Sequence, residues 1–167
     1  MIAFEPLRPA DLPLLREWLQ REHVRRWWHD PEESLAQCEQ ALAGRDPTAY
    51  YLIVVDDRPL GMIQTYLVAD NPEWAAIVGP EDGAAGVDLL IGEERAMGRG
   101  LGRRVLESFV REVVFADSET TACLATVDVS NRRSWRAFEK AGFRHVRDVE
   151  EDGAPHRLMR LDRRYAQ

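Results

Sequence analysis

Apolar residues recur along the chain with two different periods, one typical of a strand and one typical of a helix. Short apolar runs predict strands at residues 2–7, 50–55, 60–67, 87–91, 121–127, 143–149 and 157–161. Helical spacing predicts helices that start near Asp11 and at Ser34, and two more over residues 103–116 and 131–141. The polar residues 69–85, which include Trp74, predict a long loop. This order predicts an α/β fold, a mixed sheet flanked by helices, in a single domain over residues 1–167.

The strand at 87–91 leads into a glycine-rich turn that opens the helix at 103–116. The turn contains three glycines spaced two apart, Gly98, Gly100 and Gly102, with Arg99 and Arg103 beside them. Glycines at such a turn let the backbone approach a ligand that a Cβ would keep away. The free N–H groups of the first helical turn attract an anion. The spacing matches neither the dinucleotide fingerprint nor the P-loop, so it predicts a different phosphate-binding loop.

Composition and charge narrow the class of protein. The net charge of −7 disfavours a nucleic-acid partner and favours a cationic small molecule. No signal peptide and no membrane-spanning apolar run are visible, so we expect a cytoplasmic protein without a membrane partner. Cys38 and Cys123 are far apart, and the histidines form no zinc pattern, so we expect buried thiols and no metal site.

Two motifs together carry a resemblance to a known family. Gly98-Arg-Gly-Leu-Gly102 is followed about 30 residues later by Asn131-Arg-Arg-Ser-Trp-Arg-Ala-Phe-Glu-Lys-Ala-Gly-Phe143. This pair resembles the GNAT family of acyl-CoA-dependent N-acyltransferases, whose glycine loop holds the coenzyme A pyrophosphate. The resemblance implies a GNAT-like sheet and acetyl-CoA as cofactor. It implies cofactor contacts at Leu90, Ile91, Gly98, Arg99, Gly100, Leu101, Gly102, Arg103, Asn131, Ser134 and Lys140.

The chain departs from the family pattern at two positions. Met97 stands before the first glycine, where the family usually has Arg or Gln. Phe138 stands before Glu-Lys, where the family usually has a Tyr that protonates the departing thiolate. A phenyl ring cannot supply that proton.

The front half of the chain extends the resemblance over nearly its whole length. Trp18–Trp28, Gln64-Thr-Tyr66 and Gly86-Val-Asp88 resemble the aminoglycoside 6′-N-acetyltransferase branch, in which acids and a tryptophan surround a polycationic antibiotic. Adjacent Trp27 and Trp28 cannot share a helix face, so we expect one to pack inward and the other to line an open site. The resemblance implies substrate contacts at Trp27, Trp28, Asp46, Gln64, Tyr66, Glu73, Asp88, Asp128 and Asp152.

The chemistry of amine acetylation assigns roles to the strand at 87–91. Only the free lone pair of an amine attacks a thioester, and Asp88 is placed to accept the amine proton directly or through water. An aspartate of ordinary acidity is a weak base, so its main contribution is to orient the ammonium group. A backbone N–H at Leu89 or Leu90 can stabilise the oxyanion, and we assign this role to Leu90.

Three functions remain open from the sequence. The first is acetyl-CoA-dependent acetylation of an aminoglycoside amine of the 6′ type, which confers antibiotic resistance. The second is a siderophore-biosynthesis acyltransferase acting on a hydroxylated lysine, and the third is an acyl-CoA-binding sensor without turnover, suggested by Met97 and Phe138. We expect a cationic small-molecule amine as partner and a monomer or homodimer.

Overall fold

The computed structural model describes residues 1–166; Gln167, the last residue of the predicted domain, lies outside the described residues. The strands are β1 Ile2–Pro6, β2 Ala49–Val55, β3 Arg58–Leu67, β4 Ala84–Ile91, β5 Ala122–Asp128, β6 Arg144–Glu151 and β7 Ala154–Asp162. The helices are α1 Leu12–Gln20, α2 Glu22–Arg25, α3 Pro31–Leu42, α4 Pro72–Val78, α5 Leu101–Glu112 and α6 Arg132–Lys140. Within residues 1–166, no helix has both the length and the apolar character needed to cross a membrane.

The strands form one mixed sheet in the order β1-β2-β3-β4-β5-β7-β6. β4 and β5 run parallel, with Ala84 opposite Ala122, while β1–β2, β5–β7 and β6–β7 are antiparallel. β2 and β3 are joined by a two-residue turn in which Asp56 and Asp57 both have positive φ, as hairpin turns require. A mixed sheet with flanking helices is the predicted fold class, which is therefore confirmed.

The chain divides into two compact units, each with its own core. The first unit comprises Met1–Gln64 and Asp88–Arg99. Its amphipathic helix α1 turns Leu15, Trp18 and Leu19 inward, all of them fully buried, as the apolar spacing predicts. They pack with residues of α3 and the strands, namely Leu35, Cys38, Tyr50, Leu52, Val54, Met62 and Leu90.

The second unit comprises Thr65–Val87 and the described residues from Gly100 onward. One cluster in its core joins α4 to β4, β5, β6 and β7 through Val68, Ala75, Val78, Ala84, Ala122, Leu124, Val149 and Leu158. Helix α5 buries Val105, Leu106, Phe109 and Val110, the residues whose spacing predicts a helix there.

Helix α4 lies where the sequence predicts a loop, so the prediction of a loop over residues 69–85 is wrong in this part. Pro72 opens the helix at a position that proline favours, and Gly79 ends it with φ +97°. Ala75 and Val78 face the core. Two turns offer too few apolar positions for a helical period to stand out against polar neighbours, which explains the error.

Helix α3 begins three residues before the predicted cap at Ser34. Asp30 is the N-cap, and its carboxylate accepts a hydrogen bond of 3.0 Å from the Glu33 N–H. Pro31 occupies the first helical position, where a missing N–H costs nothing. Asp30 with Pro31 after it therefore caps the helix, and Ser34, an equally good capping residue, lies inside it.

Candidate functional site

Asp88, the predicted catalytic carboxylate, lies half-buried on β4 in the first unit. The Gln64 side-chain amide on β3 donates a hydrogen bond of 3.1 Å to Asp88 Oδ2. An amide donor fixes the orientation of the carboxylate without neutralising its charge. The structure thus brings together two of the predicted substrate-binding residues.

Tyr50, which the sequence analysis does not assign to the site, lies in the field of the predicted carboxylates Asp46 and Asp88. Burial raises the pKa of its phenol, and the charges of both aspartates raise that pKa further. Its hydroxyl interacts with the thiol of Cys38, whose pKa is raised by burial to about 11. Tyr50 therefore stays protonated at neutral pH and can donate a hydrogen bond.

Asp46 lies in the segment between α3 and β2. Its Oδ1 atom accepts a hydrogen bond of 2.8 Å from the Thr48 backbone N–H, which forms a local turn. The side chain is half-buried, and its carboxylate is held in place by its own turn. Asp46 is thus a fixed negative charge near the start of β2.

Trp27 and Trp28 follow the single turn of α2, and both are half-buried. Trp28 packs against the core of the first unit. The Arg26 guanidinium lies 5.3 Å from the ring centroid of Trp27. The two neighbouring indoles therefore differ in their surroundings, as their adjacency predicts, and Trp28 is the inward one.

The end of β4 contains an irregularity next to the predicted oxyanion position at Leu90. The N–H groups of Gly92 and Glu93 both donate to the single carbonyl of Leu60 on β3, at 2.8 and 3.1 Å. Two donors opposite one acceptor are typical of a β-bulge, which bends a strand and often lies beside a functional site. The bulge gives the strand carrying Leu90 and Ile91 a defined change of direction.

Side chains of α1 and the segment that follows it hold this bulge from the other side. The Arg21 guanidinium donates to the Gly92 carbonyl at 2.8 Å, and His23 Nε2 lies 2.9 Å from the Ile91 carbonyl oxygen. The indole N–H of Trp18 donates to Glu93 at 3.0 Å. This bond, together with Arg21, lowers the pKa of the Glu93 carboxyl. We call Trp18, Arg21, His23, Gly92 and Glu93 the β4 clamp.

Gly92→Ala is expected to destabilise the fold because the β4 clamp leaves no room for a side chain. A Cβ at Gly92 would lie 2.2 Å from Cγ of Trp18, a ring that is 0% exposed. Overpacking of this kind costs about 2–3 kcal/mol, which a urea unfolding curve measures as a lower midpoint.

Gly102→Ala serves as the control, because its Cβ would meet only the Ala137 methyl at 3.4 Å. This variant should change the stability by less than about 1 kcal/mol. Equal effects of the two substitutions would contradict the steric role of Gly92.

The glycine loop comprises residues 98–103, and the chain passes from the first unit to the second between Arg99 and Gly100. Gly98 has φ +79°, and Gly100, the N-cap of α5, has φ +72°. No side chain caps this helix at its N-cap, and its first intrahelical donor is the Arg104 N–H, bonded to the Gly100 carbonyl. An α-helix that opens on glycine without a side-chain cap presents its first N–H groups to an outside acceptor. Gly98 and Gly100 thus adopt the left-handed conformation that glycine favours, and the other predicted residues of the loop are Arg99, Leu101, Gly102 and Arg103.

Helix α6 carries the other predicted cofactor residues, Asn131, Ser134 and Lys140. Asn131 is its N-cap and accepts from the Ser134 N–H at 3.4 Å. Lys140 is exposed in the last turn. Phe138 is 2% exposed and packs edge-to-face on Phe143, with ring centroids 5.0 Å apart. The residue in the position of the family's tyrosine is thus part of the core.

Tyr66 and Trp74 form an aromatic pair in the second unit, with centroids 5.3 Å apart and planes at 75°. The Trp74 indole N–H donates to Thr126 Oγ1 on β5 at 3.2 Å. Glu73, the neighbouring predicted substrate residue, is exposed in the first turn of α4. Helix α4 is held at its other end by Arg147, which donates to the carbonyls of Ile77 and Val78 at 3.2 and 3.3 Å. Glu73 and Trp74 thus stand on one anchored helix, and Tyr66 packs against Trp74 from β3.

Asp128 and Asp152 lie at the same end of the β5-β7-β6 part of the sheet. Asp128 ends β5 opposite His156, and Asp152 lies in the turn between β6 and β7 with φ +52°. The carboxylate of Asp128 accepts from the Ser130 N–H and hydroxyl at 2.9 and 2.6 Å. Asp128 therefore braces its own turn, whereas Asp152 is an exposed charge at a hairpin tip.

Sequence reasoning missed three kinds of residue. The partners in the β4 clamp are about 70 positions apart in the chain, so no local pattern relates them. Trp74 stands out in the predicted loop, but only the helix shows that it pairs with Tyr66. For Tyr50, its place at the start of a strand just after Asp46 is the one signal the sequence offers.

Comparisons with known proteins agree with this architecture. The aminoglycoside N(6')-acetyltransferase type 1 of Klebsiella pneumoniae is 29% identical over 153 residues, covering 87% of this chain and 75% of that protein. The N(6)-hydroxylysine O-acetyltransferase of Escherichia coli is 24% identical, and the match covers 99% of this chain but 53% of that protein.

A solved structure and a family model extend this likeness. The crystal structure of aminoglycoside acetyltransferase AAC(6')-Ib in complex with coenzyme A and kanamycin matches with a TM-score of 0.88 and 26% identity, covering 99% of this chain and 96% of that one. The family model described as an acetyltransferase (GNAT) domain matches residues 8–151. The chain therefore belongs to the GNAT acetyltransferase family.

Proposed function

We propose that this protein is an acetyl-CoA-dependent N-acetyltransferase that acetylates an aminoglycoside amine of the 6′ type and so confers antibiotic resistance. The observation that carries the proposal is a half-buried carboxylate, Asp88, held at 3.1 Å by Gln64 on the strand that leads into the glycine loop. A base and a phosphate-binding loop on one strand suit an amine and an acyl-CoA. The K. pneumoniae relative, named for the same reaction, supports the choice of substrate.

The acyl donor would bind along β4 and the glycine loop. The first N–H groups of α5, from Leu101 to Arg103, would hold the pyrophosphate, since that helix has no side-chain cap. In the first unit, Leu90 and Ile91 would pair with the pantetheine arm. In the second unit, Asn131, Ser134 and Lys140 would contact the acyl donor. The coenzyme supplies the thioester that is cleaved.

The reaction then needs three functions from the chain. Asp88 orients the substrate ammonium group and accepts its proton directly or through a water molecule. The free amine attacks the thioester carbonyl, and the Leu90 N–H stabilises the oxyanion. Collapse breaks the C–S bond and releases the coenzyme thiolate, which takes its proton from water, because Phe138 has none to give.

The other predicted substrate residues suit a molecule with several positive charges. In the first unit these are Trp27, Trp28, Asp46 and Gln64; in the second they are Tyr66, Glu73, Asp128 and Asp152. The carboxylates would bind distant amines, and the aromatic rings would pack on sugar faces.

A second candidate is acylation of a hydroxylated lysine. The E. coli N(6)-hydroxylysine O-acetyltransferase, similar to this chain along 99% of its length, is the observation that favours it. Such a substrate carries fewer amines than an aminoglycoside, so it would leave most of the carboxylates without a partner. The aminoglycoside therefore agrees better with the predicted substrate residues.

A thiol-release assay tests the two candidates directly. We expect the protein to release coenzyme A from acetyl-CoA with kanamycin-like aminoglycosides, and far more slowly with hydroxylysine derivatives. Mass spectrometry of the product should show one added acetyl group. Turnover with hydroxylysine alone would favour the second candidate. Binding of acetyl-CoA without turnover of any amine would indicate a sensor.

We further propose that the enzyme works in the cytoplasm, where acetyl-CoA is made, as a monomer or homodimer. Its two cysteines, Cys38 and Cys123, are buried and form no disulfide, which suits a reducing compartment. Cell fractionation tests the compartment, and light scattering tests the oligomeric state.

A further inference from the structure

Helix α4 is too short to hold its own position. Isolated helices of fewer than about 12 residues are marginal in water, and α4 has 7 residues. It nevertheless carries Glu73, a predicted substrate residue, in its first turn. Its apolar residues Ala75 and Val78 pack in a buried cluster that includes Leu158 of β7. The contacts that the sheet makes with α4 therefore determine where Glu73 lies.

A β-bulge in β6 turns Arg147 toward α4. His145 lies opposite Met159 of β7, but Arg147 lies opposite Leu158, so Val146 is an extra residue in β6. Residues directly opposite each other in an antiparallel pair point to the same face of the sheet. Arg147 therefore shares a face with Leu158, which belongs to the core cluster of α4. Without the extra residue, Arg147 would point to the opposite face.

Arg147 binds the C-terminal end of α4. Its Nη2 atom donates to the carbonyls of Ile77 and Val78 at 3.2 and 3.3 Å. The last carbonyls of a helix have no partner within the helix, and they form the negative end of its dipole. The guanidinium satisfies two of these carbonyls and places a favourable charge beside them.

A second arginine holds the segment that follows α4. Arg160, two residues after Leu158 on β7, points to the same face of the sheet. Its two Nη atoms donate to the two carboxylate oxygens of Glu81 at 2.6 and 2.8 Å, and Asp162 accepts from the same guanidinium at 2.8 Å. A paired contact of this kind fixes orientation as well as distance. Neither Arg147 nor Arg160 is among the residues predicted to contact substrate or cofactor.

We propose that Arg147 is a positioning residue for the acceptor substrate, because it holds α4, and with it Glu73, in the orientation that binds the substrate. This inference rests on the proposed function. The pair of Arg160 and Glu81 supports the same helix from the segment after it. The residues predicted to contact the acyl donor lie on β4, the glycine loop and α6. Arg147 should therefore affect the acceptor substrate and leave acetyl-CoA binding unchanged.

A disruptive and a conservative substitution test this proposal. Arg147→Met keeps the length of the side chain but loses the charged donor, so KM for kanamycin should rise about tenfold. Turnover and the calorimetric affinity for acetyl-CoA should stay within about twofold of the wild type. Arg147→Lys retains a charged donor and should bring KM most of the way back. Arg111→Met is the control, because it removes an exposed arginine of α5 that is bonded to Glu112 at 2.9 Å; it should match the wild type.

A double variant tests whether Arg147 acts through Glu73. If it does, Arg147→Met should raise KM by less than about twofold in a Glu73→Gln background, because the contact that α4 positions is already weakened there. Equal effects in the two backgrounds would overturn the proposal. A wild-type KM in Arg147→Met would do the same, as would a matching loss of acetyl-CoA affinity or the same rise of KM in Arg111→Met.

Two results separate this proposal from the proposed function. If Arg147→Met leaves KM unchanged while kanamycin is acetylated, the positioning role fails and the function stands. If the wild type acetylates no amine, the function fails, and calorimetry with kanamycin decides the positioning role. Weaker binding to Arg147→Met than to Arg111→Met then supports that role, whereas equal binding or no binding overturns it.

Discussion

Asp88→Asn is expected to lower turnover about 10²-fold or more while acetyl-CoA binds as before. Asparagine keeps the size of the side chain, and its carbonyl oxygen can accept the hydrogen bond that Gln64 donates to Asp88. Only the negative charge and the basicity are lost. A loss of 10²-fold in kcat corresponds to about 2.7 kcal/mol of transition-state stabilisation. Steady-state kinetics with kanamycin measure the loss of turnover, and calorimetry measures the unchanged affinity for acetyl-CoA.

Two other predicted substrate carboxylates, Asp46 and Glu73, give the contrast for Asp88. Asp46→Asn and Glu73→Gln should chiefly raise KM for polycationic substrates, more strongly at low ionic strength, because they bind charge without touching the reacting atoms. If Asp88→Asn acetylates kanamycin at the wild-type rate, Asp88 is not the residue that accepts the proton. If the wild type fails to acetylate it, the substrate is wrong.

Gly100→Val should abolish binding of acetyl-CoA, with an affinity loss of about 100-fold or more. Gly100 has φ +72°, and a Cβ built on it meets no protein atom within 4 Å, so a side chain there projects into open space. That space adjoins the first N–H groups of α5, where we place the pyrophosphate. A branched side chain would occupy the position of the phosphate. Calorimetry measures the loss.

Gly44→Val is the matched control for the backbone strain that valine causes at Gly100. Gly44 has φ +74°, and its Cβ would likewise meet nothing within 4 Å, but it follows α3 and is not part of the glycine loop. Both variants should lose about 1–2 kcal/mol of stability from the left-handed conformation. Only Gly100→Val should lose the coenzyme. Equal affinities for acetyl-CoA in the two variants would contradict our placement of the pyrophosphate at this loop.

Features that depend on a short stretch of chain could be predicted from the sequence. The glycine spacing predicts the turn into α5, and the apolar rhythm predicts the buried face of α1. These follow from backbone conformation and helical period, which neighbouring residues decide. Helix α4 was missed because two turns carry too little periodicity, and a distant side chain, Arg147, contributes to its C-terminal end.

Features that depend on distant pairs could not be predicted in the same way. His23 reaches the Ile91 carbonyl across 68 positions, and only the folded chain brings them together. In the sequence, Gly92 resembles any glycine of a charged turn. In the structure, the Trp18 ring leaves no room for a side chain at this position. Asp88 on β4 could be predicted as a candidate because the chemistry demands a base beside the phosphate loop. The residues that hold its strand in place have no chemical signature.

The burial of Phe138 against Phe143 bears on what happens to the product. Because a phenyl ring cannot protonate the departing sulfur, we expect the coenzyme to take its proton from water, and the released thiol can then exchange with disulfides. An exposed cysteine on such an enzyme, once oxidised, would be open to capture by its own product as a mixed disulfide. Both cysteines of this chain, Cys38 and Cys123, are at most 1% exposed. The enzyme is thus protected from inactivation by the coenzyme it releases.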